Sequence, residues 1–244
     1  MIFKQMYSGG GEFVLNITSN VANPNIPALA TAAGWNGSGF LKVNITAPFV
    51  NEIRLLSSWS FPSGLEIEIS ASTLVGGQRG ASGNPSPAAG GPALLVQVPV
   101  SIRNNGTIAG GGGQGGFGQI TFVDYNSSRV IAGTDGTLGA GAGFAPGATT
   151  PSSAQAGGGG LYAEYSGPLF GGDTRPWARG GECGAGGGWG AQGVSGFYGS
   201  VGGSYDAGGG HKAPTPGGAG GNSVIGNSFI TWLATGTRLG LISA

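Results

Sequence analysis

The sequence is poor in charge and nearly free of cysteine and histidine. Charged residues make up 8% of its 244 residues, against about 25% in ordinary globular proteins, and the formal net charge is zero. No basic surface that could hold phosphates is expected, which argues against nucleic acid as a partner. The single cysteine, Cys183, can form neither an intramolecular disulfide nor a cysteine-based metal site. We predict that Cys183 packs as a small residue among glycines, the alternative being an intermolecular bridge.

Long apolar runs and nucleotide-binding motifs are also missing. No segment approaches about 18 consecutive apolar residues, the length that predicts a membrane span. Met1 to Ser8 lacks the apolar run of a signal peptide, so we expect synthesis in a cytoplasm without conventional secretion. No glycine run is followed by Gly-Lys-Ser or Gly-Lys-Thr, which argues against a phosphate-binding loop.

Glycine is the abundant residue, and its distribution divides the chain. Of the 56 glycines, 14 lie in residues 1–108, 39 in residues 109–222 and three in residues 223–244. Because 39% of the residues are hydrophobic and the net charge is zero, the composition is not that of ordinary disorder. We therefore expect an ordered structure in which glycine has a packing role.

The first part, residues 1–108, shows the alternation of apolar and polar residues that is typical of strands. Pro99 indicates an edge or a bend in the last predicted strand. A short helix is predicted from Pro27 to Ala33, preceded by Asn25 or Ile26 and followed by Gly34. These elements predict a small β-domain with one core. The predicted strands are Glu12 to Thr18, Phe40 to Thr46, Leu65 to Ser70 and Leu94 to Val100.

The second part, residues 109–222, alternates short glycine runs with stretches that are rich in aromatic residues. It has no glycine at every third position and little proline, which excludes collagen, and linkers do not carry so many aromatics. Polyproline-II-like glycine helices would satisfy one another's backbone groups, provided that no Cβ atom intervenes. We predict a polyglycine-II helix bundle that is pinned by the β-domain and by an apolar closing strand in residues 223–244.

Few residues present candidate chemistry. His211 and Cys183 are far apart in sequence, and neither a Cys-His nor a Ser-His-Asp arrangement can be argued from spacing; His211 with Lys212 is predicted on an exposed loop. Glu66 and Glu68 share a strand face, which we interpret as solvated and only alternatively as a glycosidase pair. The scattered aspartates lack the dense spacing of a calcium loop, so no metal site or cofactor is predicted. These aspartates are Asp124, Asp135, Asp173 and Asp206.

Aromatic side chains in the long segments between glycine runs are the favoured contact residues. Exposed tyrosine and tryptophan supply a large contact area at low conformational cost. The alternative is that several of them close the ends of the glycine bundle or pack on the β-domain. Phe229, Ile230, Trp232 and Leu233 are interpreted as structural. The candidate contact residues are Tyr162, Tyr165, Phe170, Trp177, Arg179, Phe197, Tyr198 and Tyr205.

A set of motifs gives the chain a recognisable layout. Asn104-Asn105-Gly106 leads into the first long glycine run, Gly34-Trp35-Asn36-Gly37 follows the predicted helix, and Gly226 to Trp232 precedes Gly236 to Gly240 near the end. In this order the chain resembles glycine-rich tail proteins of tailed bacteriophages, and the receptor-binding adhesins at the long-tail-fibre tips of T-even-type phages. It departs from those adhesins in lacking their tryptophan-containing N-terminal attachment sequence, which favours a different mode of docking.

The resemblance implies a polyglycine sandwich whose loops contact an outer-membrane protein or a surface glycan. It divides the chain into an attachment domain (1–108), a lattice with receptor-contacting loops (109–222) and a closing segment (223–244). The expected partners are other phage tail proteins and the receptor, with homo-oligomerisation left open, and the expected location is the tail of the virion, assembled in the host cytoplasm. The main alternative is a structural tail or baseplate component. An ice-binding or cell-wall protein and a depolymerase are less favoured, and we expect no enzyme.

Overall fold

The computed structural model describes residues 11–81, 87–133 and 137–244. The first ten residues and Asp135, for which the sequence analysis made predictions, lie outside this part. The described residues are mainly β, and none of their helices is long and apolar enough to cross a membrane.

In the described residues, five successive coils of the chain build three parallel sheets. Each full coil places one strand in each sheet, so the coils stack on one another. The first coil contains β1 (Glu12–Ile17), β2 (Val21–Ala22) and helix α1 (Ile26–Ala32). The second contains β3 (Phe40–Ile45), β4 (Phe49–Asn51) and β5 (Ile53–Leu55), and the third β6 (Leu65–Ile69), β7 (Leu74–Gly76) and β8 (Leu94–Val96).

The fourth coil is interrupted by the glycine-rich part of the chain. It begins with β9 (Val100–Asn104) and β10 (Thr107–Ala109). The interrupting part contains β11 (Ile120–Tyr125), β12 (Ser128–Ala132), β13 (Gly143–Phe144), β14 (Pro151–Ser152), β15 (Tyr162–Glu164), β16 (Trp177–Arg179), β17 (Ser200–Gly202) and β18 (Ala207–Lys212). The coil ends with β19 (Val224–Ile225), and a 3₁₀ turn (Asn227–Phe229), β20 (Ile230–Ala234), β21 (Thr237–Leu239) and β22 (Ile242–Ser243) form the fifth.

The parallel sheets form a three-sided β-helix. The first sheet has the order β1-β3-β6-β9-β20, the second β2-β4-β7-β10-β21 and the third β22-β19-β8-β5. In-register neighbours such as Leu15, Val43 and Ile67 are buried. Because their side chains alternate with outward polar ones, the stacked coils share one continuous apolar core.

The predicted strands at residues 12, 40 and 65 are confirmed, each within one residue of its predicted end. Helix α1 is also confirmed, one residue earlier than predicted, with the Asn25 side chain accepting from the Ala28 N–H at 3.1 Å. The predicted strand Leu94 to Val100 is confirmed only at its start: β8 ends at Val96 and β9 begins at Val100, in a different sheet, so the chain bends between them, as Pro99 indicated. The corner between them contains Pro99, which cannot donate to a ladder.

The outward face of the first sheet carries the paired carboxylates. Lys42 Nζ lies 3.5 Å from Glu66 Oε1 and 3.1 Å from Glu68 Oε2. The hydrogen bond to Glu68, followed by the negative charge of Glu66, raises the pKa of Lys42 against the opposing effect of burial. Glu66 and Glu68 thus form a cross-strand ion cluster with Lys42 on a solvated strand face. This agrees with the interpretation that the sequence favoured.

A single corner of the β-helix, between the second and third sheets, accommodates the glycine-rich part. In the second coil this corner is one residue, Glu52, with φ of 54° and an ion pair to Arg54 Nε at 2.9 Å. In the third coil the corner widens to residues 77–93, and in the fourth to residues 110–223. Backbone bonds continue through it from coil to coil, as from Gly77 N to Ala109 O and from Gly110 N to Leu239 O. The large insertion is therefore an expansion of one stacked corner.

The corner between the first two sheets contains the Asn-Asn-Gly motif. The Asn104 side chain is buried, donates to Thr235 O at 2.8 Å and accepts from the Gly106 N–H at 3.1 Å. A Cβ atom on Gly106 would lie 2.4 Å from Ser70 O, so the close stacking of coils requires glycine there. The motif thus fastens the fourth coil to the last one.

In the part of the chain that the structure describes, six glycine-rich runs connect the β-helix with two small antiparallel sheets, and two shorter ones, residues 77–81 and 87–91, belong to the corner of the third coil. Gly110 bonds to β21, whereas Gln119, at the other end of the same run, donates to Phe197 O just before β11 begins. The runs bond to one another through backbone N–H and C=O groups, as in Gly113 N to Ala191 O and Gly187 N to Gly113 O. They comprise residues 77–81, 87–91, 110–119, 137–142, 153–161, 180–190, 191–199 and 213–222.

Glycine is required where these runs touch. A Cβ atom on Gly113 would lie 1.8 Å from Gly218 O, and one on Gly184 would lie 1.9 Å from Val194 O. Cys183 is buried among these runs, as predicted, with its N–H bonded to Gly158 O. At the β-helix end, Trp189 packs edge-to-face on the buried Phe144 ring at 6.0 Å, which anchors the runs to β7.

Candidate functional site

Two small antiparallel sheets pack face to face at the end of the runs that lies away from the β-helix. One, the hairpin sheet, has the order β12-β11-β18, and the other, the platform sheet, has the order β15-β16-β17. Val123, Ala132 and Ala178 form the buried core between them. The strand connections of this pair define three distal loops: residues 126–127, 165–176 and 203–206.

The first distal loop is a tight hairpin turn. Asn126 and Ser127 have φ of 47° and 59°, the left-handed pair typical of a two-residue β-hairpin. Next to the turn, Arg129 donates two hydrogen bonds of 2.6 and 2.7 Å to the Asp124 carboxylate. Its guanidinium also lies over the Phe122 ring, 4.4 Å from the ring centroid. The hydrogen bond between these two side chains lowers the pKa of Asp124 and raises the pKa of Arg129.

The second distal loop is held by the buried Tyr125 of the hairpin sheet. The Tyr125 hydroxyl donates to Asp173 Oδ2 at 2.7 Å and accepts from the Phe170 N–H at 3.0 Å. The bond from Phe170 lowers the pKa of Tyr125, but burial and the Asp173 carboxylate outweigh it and the net pKa is raised. Tyr165 packs edge-to-face on Tyr125 at 5.0 Å, and Arg175 donates to Tyr165 O at 2.6 Å.

The third distal loop is bonded to both of the others. Asp206 Oδ2 accepts from the Asn126 N–H at 2.9 Å, and the Asp206 N–H donates to Asp124 O at 2.8 Å. The Ser204 N–H donates to Thr174 O at 3.0 Å, while Ser204 Oγ accepts from the Thr174 N–H at 3.1 Å. Side chains and backbone therefore connect the three distal loops into one surface.

This surface displays two of the predicted contact residues. The side chain of Phe170 is 61% exposed and that of Tyr205 is 41% exposed, both on loops that the hydrogen bonds above restrain. Tyr165 lies in the same loop as Phe170 but is only 8% exposed, so it is buried beneath the surface. Restrained loops with exposed aromatics suit contact with another macromolecule, because little ordering remains to be done on binding.

Three predicted residues lie on strands of the platform sheet rather than on loops, which corrects the sequence analysis. Tyr162 is on β15, and Trp177 and Arg179 are on β16, all on the face directed away from the small core. The rings of Tyr162 and Trp177 lie 5.8 Å apart and are tilted by 33°. Partial burial, and then the charge of Glu164, raises the pKa of Tyr162.

The remaining predicted residues, Phe197 and Tyr198, lie where a glycine run enters β17. They are 52% and 75% exposed, on the flank rather than among the distal loops. His211 and Lys212, predicted on a loop, instead end strand β18, where His211 meets the Phe122 ring edge-to-face at 5.9 Å. The structure thus separates the predicted set into a distal, a platform and a flank group.

Sequence reasoning missed the polar residues that hold the distal loops. Asp173 and Asp206 appeared only as scattered aspartates, although Asp173 accepts a hydrogen bond that joins its loop to strand β11 and Asp206 accepts one that joins two loops. Asn126-Ser127 between two alternating runs was an available hairpin signal. No group of three or more histidine, cysteine, aspartate or glutamate side chains positioned to hold a metal ion occurs in residues 11–81, 87–133 and 137–244.

Comparisons with known proteins agree with this architecture. The chain is similar to a solved structure of the gp37-gp38 adhesin tip complex of the bacteriophage S16 long tail fiber, with 20% identity and a TM-score of 0.53. The similarity covers 95% of this chain and 82% of the other, and at this identity it shows a shared fold. A search of curated proteins found no significant sequence match. The model of the family described as phage tail fibre adhesin Gp38 matches residues 12–243. The chain belongs to the phage tail fibre adhesin Gp38 family.

Proposed function

We propose that this tail-fibre adhesin recognises a receptor on the bacterial surface through its three distal loops. The observation that carries the proposal is that these loops meet at the end of the glycine runs that is remote from the β-helix, where hydrogen bonds restrain them. Phe170 and Tyr205 are the exposed aromatic anchors of this surface. Tyr165 packs on Tyr125, whose ring also lies against that of Phe170. The flank residues Phe197 and Tyr198 extend the contact area.

The glycine runs act as a polyglycine-II lattice that holds the loops away from the β-helix. Inter-run hydrogen bonds and the lack of room for a Cβ atom support this assignment. At about 3.1 Å per residue, a run of ten residues would place the distal sheets about 30 Å from the β-helix. A short, stiff scaffold would present the loops in a fixed orientation.

The β-helix is the attachment base of the adhesin. It comprises most of residues 1–109 together with the closing segment 223–244, while residues 110–222 form the receptor-binding head. The last coil exposes apolar side chains and leaves the outer edges of β20, β21 and β22 unpaired within the described residues, which suits docking on another tail-fibre protein. The exposed side chains are Leu233, Leu239, Leu241 and Ile242. The adhesin would be assembled with its fibre in the host cytoplasm and would bind without catalysis.

Cell binding by the purified chain tests the proposal. We expect saturable binding to the bacterium on which the phage grows, and a loss of about tenfold or more in affinity for the double variant Phe170→Ala with Tyr205→Ala. The matched control is Leu241→Ala, which truncates a 73% exposed apolar side chain on the β-helix instead.

The folded state of each variant is checked by circular dichroism and size-exclusion chromatography. Equal loss of binding in Leu241→Ala would contradict a receptor surface at the distal loops. A folded wild-type chain that binds no host cells would favour a structural tail component without receptor contact.

A further inference from the structure

The outer face of the platform sheet carries an aromatic pair that the small core does not use. Tyr162 is 55% exposed, and Trp177 is half-buried beside it with ring centroids 5.8 Å apart. Trp177 lies against Gly202 of β17: a Cβ atom there would be 2.6 Å from the indole ring, so no side chain can separate the two. The glycine lets the indole settle onto the sheet and fixes its position.

Positively and negatively charged side chains border this aromatic pair. The Tyr162 hydroxyl donates to Glu164 Oε2 at 3.2 Å, and Arg175 Nε lies 3.2 Å from Glu164 Oε1. On the other side, Arg179 lies 3.5 Å from Glu182 Oε1. These two carboxylates and two guanidiniums are between 41% and 57% exposed, so they keep donor and acceptor capacity toward solvent.

The charges of this border cancel, which selects the chemistry of a ligand. A strongly anionic or cationic ligand would meet an equal number of opposing and like charges, whereas a neutral polyhydroxylated ring meets acceptors at Glu164 and donors at Arg179. The C–H face of such a ring is complementary to the negative faces of the aromatic rings. An open sheet face can also bind one sugar residue within a longer polysaccharide chain, whereas an enclosed pocket could not.

We propose that the outer face of the platform sheet, with Tyr162 and Trp177 as the stacking rings and Glu164 and Arg179 as hydrogen-bonding groups, binds a neutral pyranose residue of a bacterial surface polysaccharide. The inference rests on the proposed adhesin function and adds a glycan contact beside the distal loops. Host cells would thus be touched at two surfaces of the head, one on the loops and one on the sheet.

Saturation-transfer difference NMR on the full chain tests the site. The probes are the methyl glycosides of glucose, galactose, mannose and N-acetylglucosamine at millimolar concentration, with tetramethylammonium as a cationic competitor. We expect transfer to the ring C–H protons of at least one glycoside. Trp177→Ala and Tyr162→Ala should each weaken that binding about tenfold. Trp177→Phe, which keeps an aromatic face, should retain part of it, and the distal variant Phe170→Ala should retain all of it.

The outcomes separate this proposal from the adhesin function. Since Tyr162 is largely exposed, its variant reports on the site even if Trp177→Ala disturbs the fold. Absence of transfer to all four glycosides, in a preparation that binds host cells, overturns the glycan site and leaves the adhesin function intact. Binding of tetramethylammonium in place of the sugars overturns it as well. Glycoside binding without cell binding would uphold the site and contradict receptor recognition by the loops.

Discussion

At the scale of single residues, the glycines in the runs differ from one another in what they tolerate. A Cβ atom on Gly187 would lie 2.2 Å from Ala191 O, whereas one on the adjacent Gly188 meets no atom within 4 Å. Gly187 is buried and Gly188 exposed. Neither of them has φ in the left-handed region. The two positions are therefore a matched pair in which steric fit is the main difference.

We expect Gly187→Ala to lower the free energy of unfolding by about 1–3 kcal/mol, because a backbone carbonyl must move to make room. Gly188→Ala should leave stability unchanged or raise it by up to about 1 kcal/mol, since alanine restricts the unfolded chain. Thermal and urea unfolding of both variants provide the measurement. Equal stability of the two variants would contradict a lattice held by close backbone contact.

At the scale of elements, apolar alternation in the sequence predicted strands well and their partners poorly. Leu15, Val43 and Ile67 are among the alternating apolar residues of three predicted strands, and all three are buried. Alternation does not encode whether a strand pairs in parallel, nor with which other strand, so the β-helix was not predicted. The split of Leu94 to Val100 into β8 and β9 shows the same limit, since one apolar run crosses a corner.

The candidate site was predictable to a similar extent. Aromatic composition pointed to Phe170 and Tyr205, which are exposed at the distal loops, but also to Tyr165, which is buried. The polar contacts of Tyr125 and Asp206 join segments 45 to 80 residues apart, and no local pattern reveals such pairings.

Tyr125 gives the distal loops a testable dependence on pH. Its pKa is raised in the folded protein, so the unfolded chain loses its proton first as pH rises past the ordinary value of 10.0. Stability from this residue is thus present below pH 10 and declines above it. We expect Tyr125→Phe to be less stable than the wild type at about pH 7, because it loses the hydroxyl contacts to Asp173 and Phe170. We also expect it to lose less stability than the wild type between about pH 9 and about pH 11, a range that spans the ordinary pKa of tyrosine.

Thermal unfolding across this pH range checks the prediction, with Tyr198→Phe as the control, since Tyr198 is 75% exposed. An identical pH profile for Tyr125→Phe and the wild type would show that Tyr125 does not hold the loops.

At the scale of the whole molecule, the C-terminal coil completes the base after the chain has returned from the head. Strand β20 covers β9, and β21 covers β10, through parallel pairing. Trp232 packs against the common core, with Arg238 over its ring at 5.1 Å. The base is therefore built from both ends of the sequence.

Truncation after Gly226 should leave the chain largely insoluble, because it uncovers the edges of β9 and β10 and the apolar side chains of the core. Truncation after Leu241, which removes only β22 and the final residue, should reduce the melting temperature while preserving soluble protein. Soluble yield and thermal unfolding distinguish the two. Full solubility of the shorter chain would show that the fourth coil closes the β-helix unaided.

The expanded corner has a consequence for how such adhesins can diversify. The head enters at Gly110 and leaves at Asn222, and these positions are adjacent: a Cβ atom on Gly110 would lie 2.8 Å from the carbonyl carbon of Asn222. A segment whose two ends meet can be exchanged as a cassette, provided that its bonds to the third coil, such as Gly111 N to Gly91 O, are kept. If the distal loops bind the receptor as we propose, replacing residues 110–222 with the corresponding segment of another adhesin would give a new host range on an unchanged fibre.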